Sequence, residues 1–288
     1  MIEVISFIIA LAGSSIAAVW DLKTTEIPDQ IPHAMIVLAL ILAVTRSILE
    51  GSYIPMAMSL LAGGTFLALG FLLYFFGQWG GGDAKVLAAI AFLLPTTPKF
   101  FKKELLLPFP VSYFLNVLYV GAAYMIVYAF VIALTNKRVN AAFVKDVKAS
   151  SNFILFSVPA IFFLFLTINW YAANMLMLEA DSTYLLWNSL LPLSFFFCLW
   201  FLWKFVRAVE NVGFKKRIPV PMLKVGDVLL ESKQWEGITA AEVRRIKKSG
   251  KKYVWIKEGV RFGVAFPLAL IFTLYFGDGI LFLLRYLI

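Results

Sequence analysis

Two carboxylates in this chain stand where carboxylates are costly. Asp21 closes a long apolar run in "AVWDLKTTEIPDQIP"; Asp83 follows three glycines in "GQWGGGDAKV" and opens another. A charge at membrane depth needs a partner or a task. Two carboxylates facing each other near apolar walls share one proton. The ionised one takes a proton from water, and the protonated one donates to a carbonyl oxygen. That is peptide-bond hydrolysis without a metal or a covalent intermediate. Alone, each residue also fits a plainer reading: a helix cap for Asp83, a juxtamembrane charge for Asp21. The one cysteine, Cys198, reads as a small buried hydrophobe, and the one histidine, His33, as a polar interfacial residue. No intrachain disulfide, Cys-based zinc site or His-rich metal site can be built from them. No cofactor-binding motif is present either, so any chemistry falls to carboxylates, lysines, hydroxyls or backbone.

The neighbours of the pair extend the site. Gly80, Gly81 and Gly82 end the preceding helix and let a substrate backbone approach closely. Asp83 then lies at a helix N-terminus, where free N–H groups and the dipole favour an anion. Lys85 is on another face and can snorkel to the interface. Glu26 and Asp29 flank Ile27-Pro28 and are candidates to hold a cationic head. Asp29 also reads as the cap of the next span, with Pro32 tolerated in its first turn. Gln78 and Trp79 are candidates for the substrate path, although tryptophan at a membrane interface is ordinary. Pro108, Pro110, Asn116, Pro159 and Pro192 read as kinks or span starts. Asp278 falls near the opposite membrane face.

The elements that must position these residues are membrane helices. Of 288 residues 61% are hydrophobic, with a mean hydropathy of +0.86, which excludes a soluble domain of this length. Apolar runs predict spans over 2–20, 31–49, 54–76, 83–94, 108–134, 153–177, 184–205 and 260–276. The fold class is an all-α polytopic membrane protein of about eight transmembrane helices, with six to nine compatible, carrying a small cytoplasmic α+β module. Residues 1–20 lack a basic region and a small-residue cleavage site, and read as a retained first span. The last ten residues are too short to cross and read as interfacial.

Fifteen of the 26 Lys and Arg fall in 204–261, which puts that segment in the cytoplasm and the N-terminus outside. The acidic connector 179–183 then falls outside. Asp21 ends an inward span and Asp83 starts an outward one, so both lie at the cytoplasmic face of the cell membrane. The organisation is a catalytic transmembrane core (1–135), additional transmembrane helices (136–205), a basic module (206–259) and a C-terminal transmembrane helix with its tail (260–288). Within the module, 225–230 and 252–256 read as strands. Residues 239–250 read as a helix boxed by Thr239 and Glu242 and stopped by Gly250. The module's basic excess suits anionic lipid, and nothing in it requires nucleic acid.

"GGGD", which fits G-x-G-D, together with Asp21 seven residues before Pro28 in "DLKTTEIP", resembles the prepilin peptidases. The lack of a Cys-x-x-Cys module points to the archaeal branch, the preflagellin and prepilin-like peptidases; "LPFPVSYFLN" (107–116) and "FPLALIFTLYFGD" (266–278) also look like that branch. The resemblance covers the first 135 residues well and the last 30 loosely. Presenilin and signal peptide peptidase are similar in motif, but their G-x-G-D comes late and is joined by P-A-L, which is missing here. The resemblance implies an aspartic endopeptidase with Asp21 and Asp83 as the catalytic pair. Its partners would be prepilin-like or preflagellin precursors, cut between a basic head and an apolar helix at the cytoplasmic face. Bacterial members also methylate the new N-terminus; archaeal members are not expected to. Two other classes stay open: an ion-coupled transporter using the same acids, against which no inverted repeat is visible, and a membrane scaffold. Oligomeric state is left open.

Overall fold

The structure is a computed structural model, and it describes residues 1–101, 105–177, 181–232, 237–257 and 261–279. The expectations for the tail beyond Gly279 and for 179 and 180 of the acidic connector lie outside the described residues. The first three apolar runs form α1 (Ile2–Thr24), α2 (Gln30–Glu50) and α3 (Ile54–Phe75). Then come α4 (Gly81–Leu93), α5 (Phe109–Thr135), α6 (Lys137–Ala149), α7 (Ser151–Met175) and α8 (Ser182–Ala208). Among the described residues six helices are long and apolar enough to cross a bilayer: α1, α2, α3, α5, α7 and α8. The protein is a multi-pass membrane protein.

The other two expected spans are also helices, but short ones. α4 has 13 residues, about 20 Å of helix, less than a hydrocarbon core. It is apolar on every side and correspondingly buried: Ala84 and Val86 through Leu94 are all in the core. Small residues let it pack closely. Gly70 of α3 leaves no room for a Cβ, which would come 2.9 Å from the Ala84 Cα, and Gly63 lies under the Phe92 ring. Ser59 Oγ donates to the Phe92 carbonyl at 2.8 Å. Leu94, Pro95 and Pro98 share a small cavity with Ile2 and Glu3 at the start of α1 and Glu50 at the end of α2.

The chain divides into two compact units, one of Met1–Val127 with Lys216–Ile288 and one of Tyr128–Lys215. In the first, the module forms a three-stranded sheet from β1 (Lys215–Pro219), β2 (Val228–Leu229) and β3 (Tyr253–Lys257), in the order β1-β3-β2. β2 runs antiparallel to β3, with Val228 opposite Lys257 and Leu229 opposite Ile256. Helix α9 (Ala240–Lys248) covers a core of Val220, Leu223, Ile238, Val243 and Val254. The Thr239–Glu242 box forms as its sequence predicts, and Gly250 has φ +73°. α10 (Ala265–Phe276) returns to the bundle. Here the two stretches 107–116 and 266–278 meet: Tyr113 Oη donates to the Phe266 carbonyl, and Asn116 Nδ2 donates to Thr273 and to the Gly277 carbonyl. Asn116, read from sequence as a kink or span-start residue, ties two helices together. Asp278 accepts from the Leu106 N–H.

In the second unit α7 and α8 form an antiparallel hairpin, with Phe153 stacked on Trp200 and Asn169 donating to Ser189. The apolar surface of α7 faces outward almost everywhere, the surface lipid would cover. Cys198 is exposed on α8 rather than buried. Apolarity predicts burial only where the solvent is water; on a membrane hairpin an apolar side chain is equally stable facing outward. α6 was not separated in the sequence from the loop joining two spans.

Candidate functional site

Asp21 sits in the last turn of α1 and is 4% exposed. The helix stops four residues later because Thr25 turns left-handed, with φ 61°, and returns its N–H to the Asp21 carbonyl at 2.8 Å. Positive φ is a strained conformation for a β-branched residue. Thr24 Oγ1 donates to the Glu26 carbonyl at 2.9 Å, so hydroxyls on both sides brace this turn. One Asp21 oxygen, Oδ2, accepts the Gly263 N–H at 2.7 Å, from the short turn that leads into α10. A Cβ on Gly263 would come 3.0 Å from that oxygen. Only a glycine lets the backbone reach the carboxylate here.

Asp83 occupies the third position of α4, and its Oδ2 accepts the Gly80 N–H at 3.2 Å. It therefore closes its own helix start, the capping reading, while its other oxygen has no hydrogen-bond partner among the described residues. The two carboxylates come from separate helices, α1 and α4. Both line one open cavity of about 900 Å³.

The glycine run brings the two elements together. Gly82 packs against Ile27 in the turn after α1, where a Cβ would come 2.8 Å from the Ile27 Cβ. The expected close approach thus occurs within the chain at Gly82, while Gly80 and Gly81 face the cavity. Trp79 is buried against Phe262, Phe266 and Phe114 and forms an aromatic floor where it meets the cavity.

Every residue singled out for the site in the sequence lines this cavity: Asp21, Asp83, Gly80, Gly81, Gly82, Lys85, Glu26 and Asp29, with Gln78 and Trp79. Two differ in detail. Asp29 does stand at the N-cap of α2 but makes no side-chain cap; its carboxylate takes the Lys85 ammonium at 2.7 Å. Lys85 is therefore committed to Asp29 rather than to Asp83. The Glu26 side chain is exposed to the cavity, and its carboxylate has no ion-pair or hydrogen-bond partner among the described residues.

The sequence missed the far wall. Lys216, Ile218, Lys224, Gly226, Asp227, Ile256 and Lys257 of the module line the same cavity. Gly226, with φ +94°, brings its turn against Glu26, whose Oε1 would lie 3.0 Å from a Cβ there. The sequence carried no direct signal for this wall; Gly263 stands three residues before the stretch 266–278. It marks where the module hands the chain back to the bundle at Asp21.

The chain matches the type IV leader peptidase family over residues 8–214. It is similar to the prepilin peptidase EppA of Methanothermobacter thermautotrophicus, 30% identical over 148 residues that cover 48% of this chain and 38% of the relative. It is also similar to the preflagellin peptidase of Methanococcus voltae, 32% identical over 92 residues, covering 32% of this chain and 39% of the relative. For the preflagellin peptidase of Methanocaldococcus jannaschii the identity is 30% over 115 residues, covering 40% and 46%. The matched region spans less than half the length of each of these relatives. With the family match running through both aspartates and well over half of the chain, this protein belongs to the type IV leader peptidase family.

Proposed function

We propose that this protein is a membrane-embedded aspartic endopeptidase that removes the short basic leader of prepilin-like or preflagellin precursors at the cytoplasmic face. One observation carries the reading. Asp21 and Asp83, supplied by separate helices, open into one cavity large enough for an extended peptide. Each holds one oxygen on a backbone N–H and keeps the other for substrate and water.

The pair carries one proton between them. The ionised carboxylate takes a proton from water as the water oxygen attacks the scissile carbonyl carbon. The protonated one donates to the carbonyl oxygen. Collapse of the resulting gem-diol breaks the C–N bond, and a proton passes to the departing amine. Gly80 and Gly81 leave room for the substrate backbone beside Asp83, and Gly82 holds α4 against the turn after Asp21. Asp29 and Lys85 neutralise each other at the rim. Glu26, beside the turn after Asp21 and without an ion pair among the described residues, is then placed to receive a cationic leader residue.

The test is cleavage of a tagged basic-leader precursor in membranes, with wild type beside Asp21→Asn and Asp83→Asn at matched protein level. Both variants keep shape but cannot carry the proton. Loss of cleavage in both supports the dyad. Cleavage surviving in either removes that residue from the chemistry, and no cleavage by wild type across several basic leaders overturns the peptidase reading.

A further inference from the structure

The second unit contains a helix that the peptidase reading leaves unused. A single residue separates α6 from α5 on one side and from α7 on the other. A helix tethered so tightly between two spans cannot leave the membrane surface. A second observation fixes its depth. Asp146 of α6 pairs with Lys204 of α8 at 3.1 Å, and Phe143 packs edge-on against Phe205. The Lys204 ammonium lies over the rings of Trp200 and Trp203, and Arg207 lies over Trp203. Tryptophan with lysine and arginine is the side-chain set of the headgroup layer, so α6 lies at that level.

The two faces of α6 differ sharply. Val139 is buried, Phe143 and Val147 are half-buried, and Asp146, its one acid, is taken by Lys204. At 100° per residue, Lys137, Arg138, Lys145 and Lys148 fall on a single arc of about 100° on the other side. All four are exposed, and none has an ion-pair partner among the described residues. Four uncompensated cations at headgroup level select anionic over zwitterionic lipid.

We infer that the exposed face of α6 is a binding surface for anionic phospholipid headgroups, independent of the cleavage site. The test uses the full chain in phosphatidylcholine bilayers with trace spin-labelled phosphatidylglycerol or spin-labelled phosphatidylcholine. The readout is the motionally restricted fraction of each probe. Wild type should restrict phosphatidylglycerol several-fold more strongly, and added salt should shrink that preference. Replacing Lys137, Arg138, Lys145 and Lys148 by Gln should bring the ratio close to one. Replacing Lys247, Lys248 and Lys251 of the module by Gln should leave it in place. Lys→Arg at 137, 145 and 148 keeps the charge and should keep the preference. A preference that survives the Gln variant, is lost in the Arg variant, or follows the module lysines instead overturns the inference.

Discussion

At the scale of the residue, the site rests on carboxylates whose geometry is set by backbone. Losing a group that transfers a proton costs roughly 10²–10⁴-fold in rate, so Asp21→Asn and Asp83→Asn should each lose cleavage by at least that much without loss of thermal stability. Gly263→Ala tests the support of Asp21 separately. Its methyl would sit 3.0 Å from Asp21 Oδ2, so the N–H contact must lengthen and kcat should fall while KM stays close to wild type. Glu26 should behave in the opposite sense. An exposed ion pair is worth about 1 kcal/mol at most, so Glu26→Gln should raise KM for a basic leader roughly fivefold and leave kcat nearly unchanged. A leader with its cations replaced by glutamine should show no difference between Glu26→Gln and wild type. An equal effect on both leaders would remove Glu26 from leader recognition. Asp21, Asp83 and Glu26 were all legible in the sequence, because an acid next to an apolar run is conspicuous. The Gly263 N–H was not, because a backbone donor carries no signature and its partner lies 242 positions away.

At the scale of the element, α3 and α4 form the joint that carries Asp83. Gly63 and Gly70 are seven residues apart on the α3 face that also buries Ser59 and Phe66. Gly70 touches Ala84, the residue after Asp83. A larger side chain there must move α4. Gly70→Val should destabilise the protein by roughly 1–3 kcal/mol, as overpacking does, and should lose most cleavage although position 70 does not line the cavity. Full activity with an unchanged unfolding temperature would show the joint to be loose. The helix of the module offers a pH test. The Thr239 N–H donates to Glu242 at 2.7 Å and its hydroxyl at 2.9 Å, and with Arg245 nearby these hold the carboxyl below its usual range. A lowered folded-state value contributes stability above the unfolded value and loses it as pH falls through the folded one. Resistance of the module to proteolysis should therefore drop as the medium is acidified below the normal glutamate range. Glu242→Gln should be weaker at neutral pH and flatter in acid; a variant with the same acid profile as wild type would remove Glu242 from the effect. These elements show what a pattern can and cannot reveal. The capping box was readable because its partners are three residues apart. The length of α4 was read nearly correctly, but not its complete burial, because an all-apolar helix looks the same whether protein or lipid surrounds it. β1 was missed because "KKRIP" has neither alternation nor an apolar run.

At the scale of the whole molecule, the first unit turns a sequence-level charge count into a geometric statement. The module touches the turn after α1 at Glu26 and delivers Gly263 to Asp21, so the module, Asp21 and Asp83 lie at one end of the bundle. The α2–α3 turn around Tyr53 lies at the other end, next to the start of α1 through the contacts of Arg46 with Glu3 and Glu50. Whichever side of the membrane holds the module therefore also holds the proposed cleavage site. Its share of the lysines and arginines predicts the cytoplasmic side, where positive loops are retained. The prediction needs a chain with no other thiol, which replacing the single Cys198 by serine provides. In that background, Tyr53→Cys should react with a membrane-impermeant maleimide in intact cells, since Tyr53 is 81% exposed. Lys247→Cys, on the exposed side of α9, should react only after the membrane is opened. The reverse pattern would put the paired aspartates on the outer surface. A leader peptidase acting before its substrate is exported could not work from there, so one labelling experiment tests the direction of the fold and the side of the reaction together.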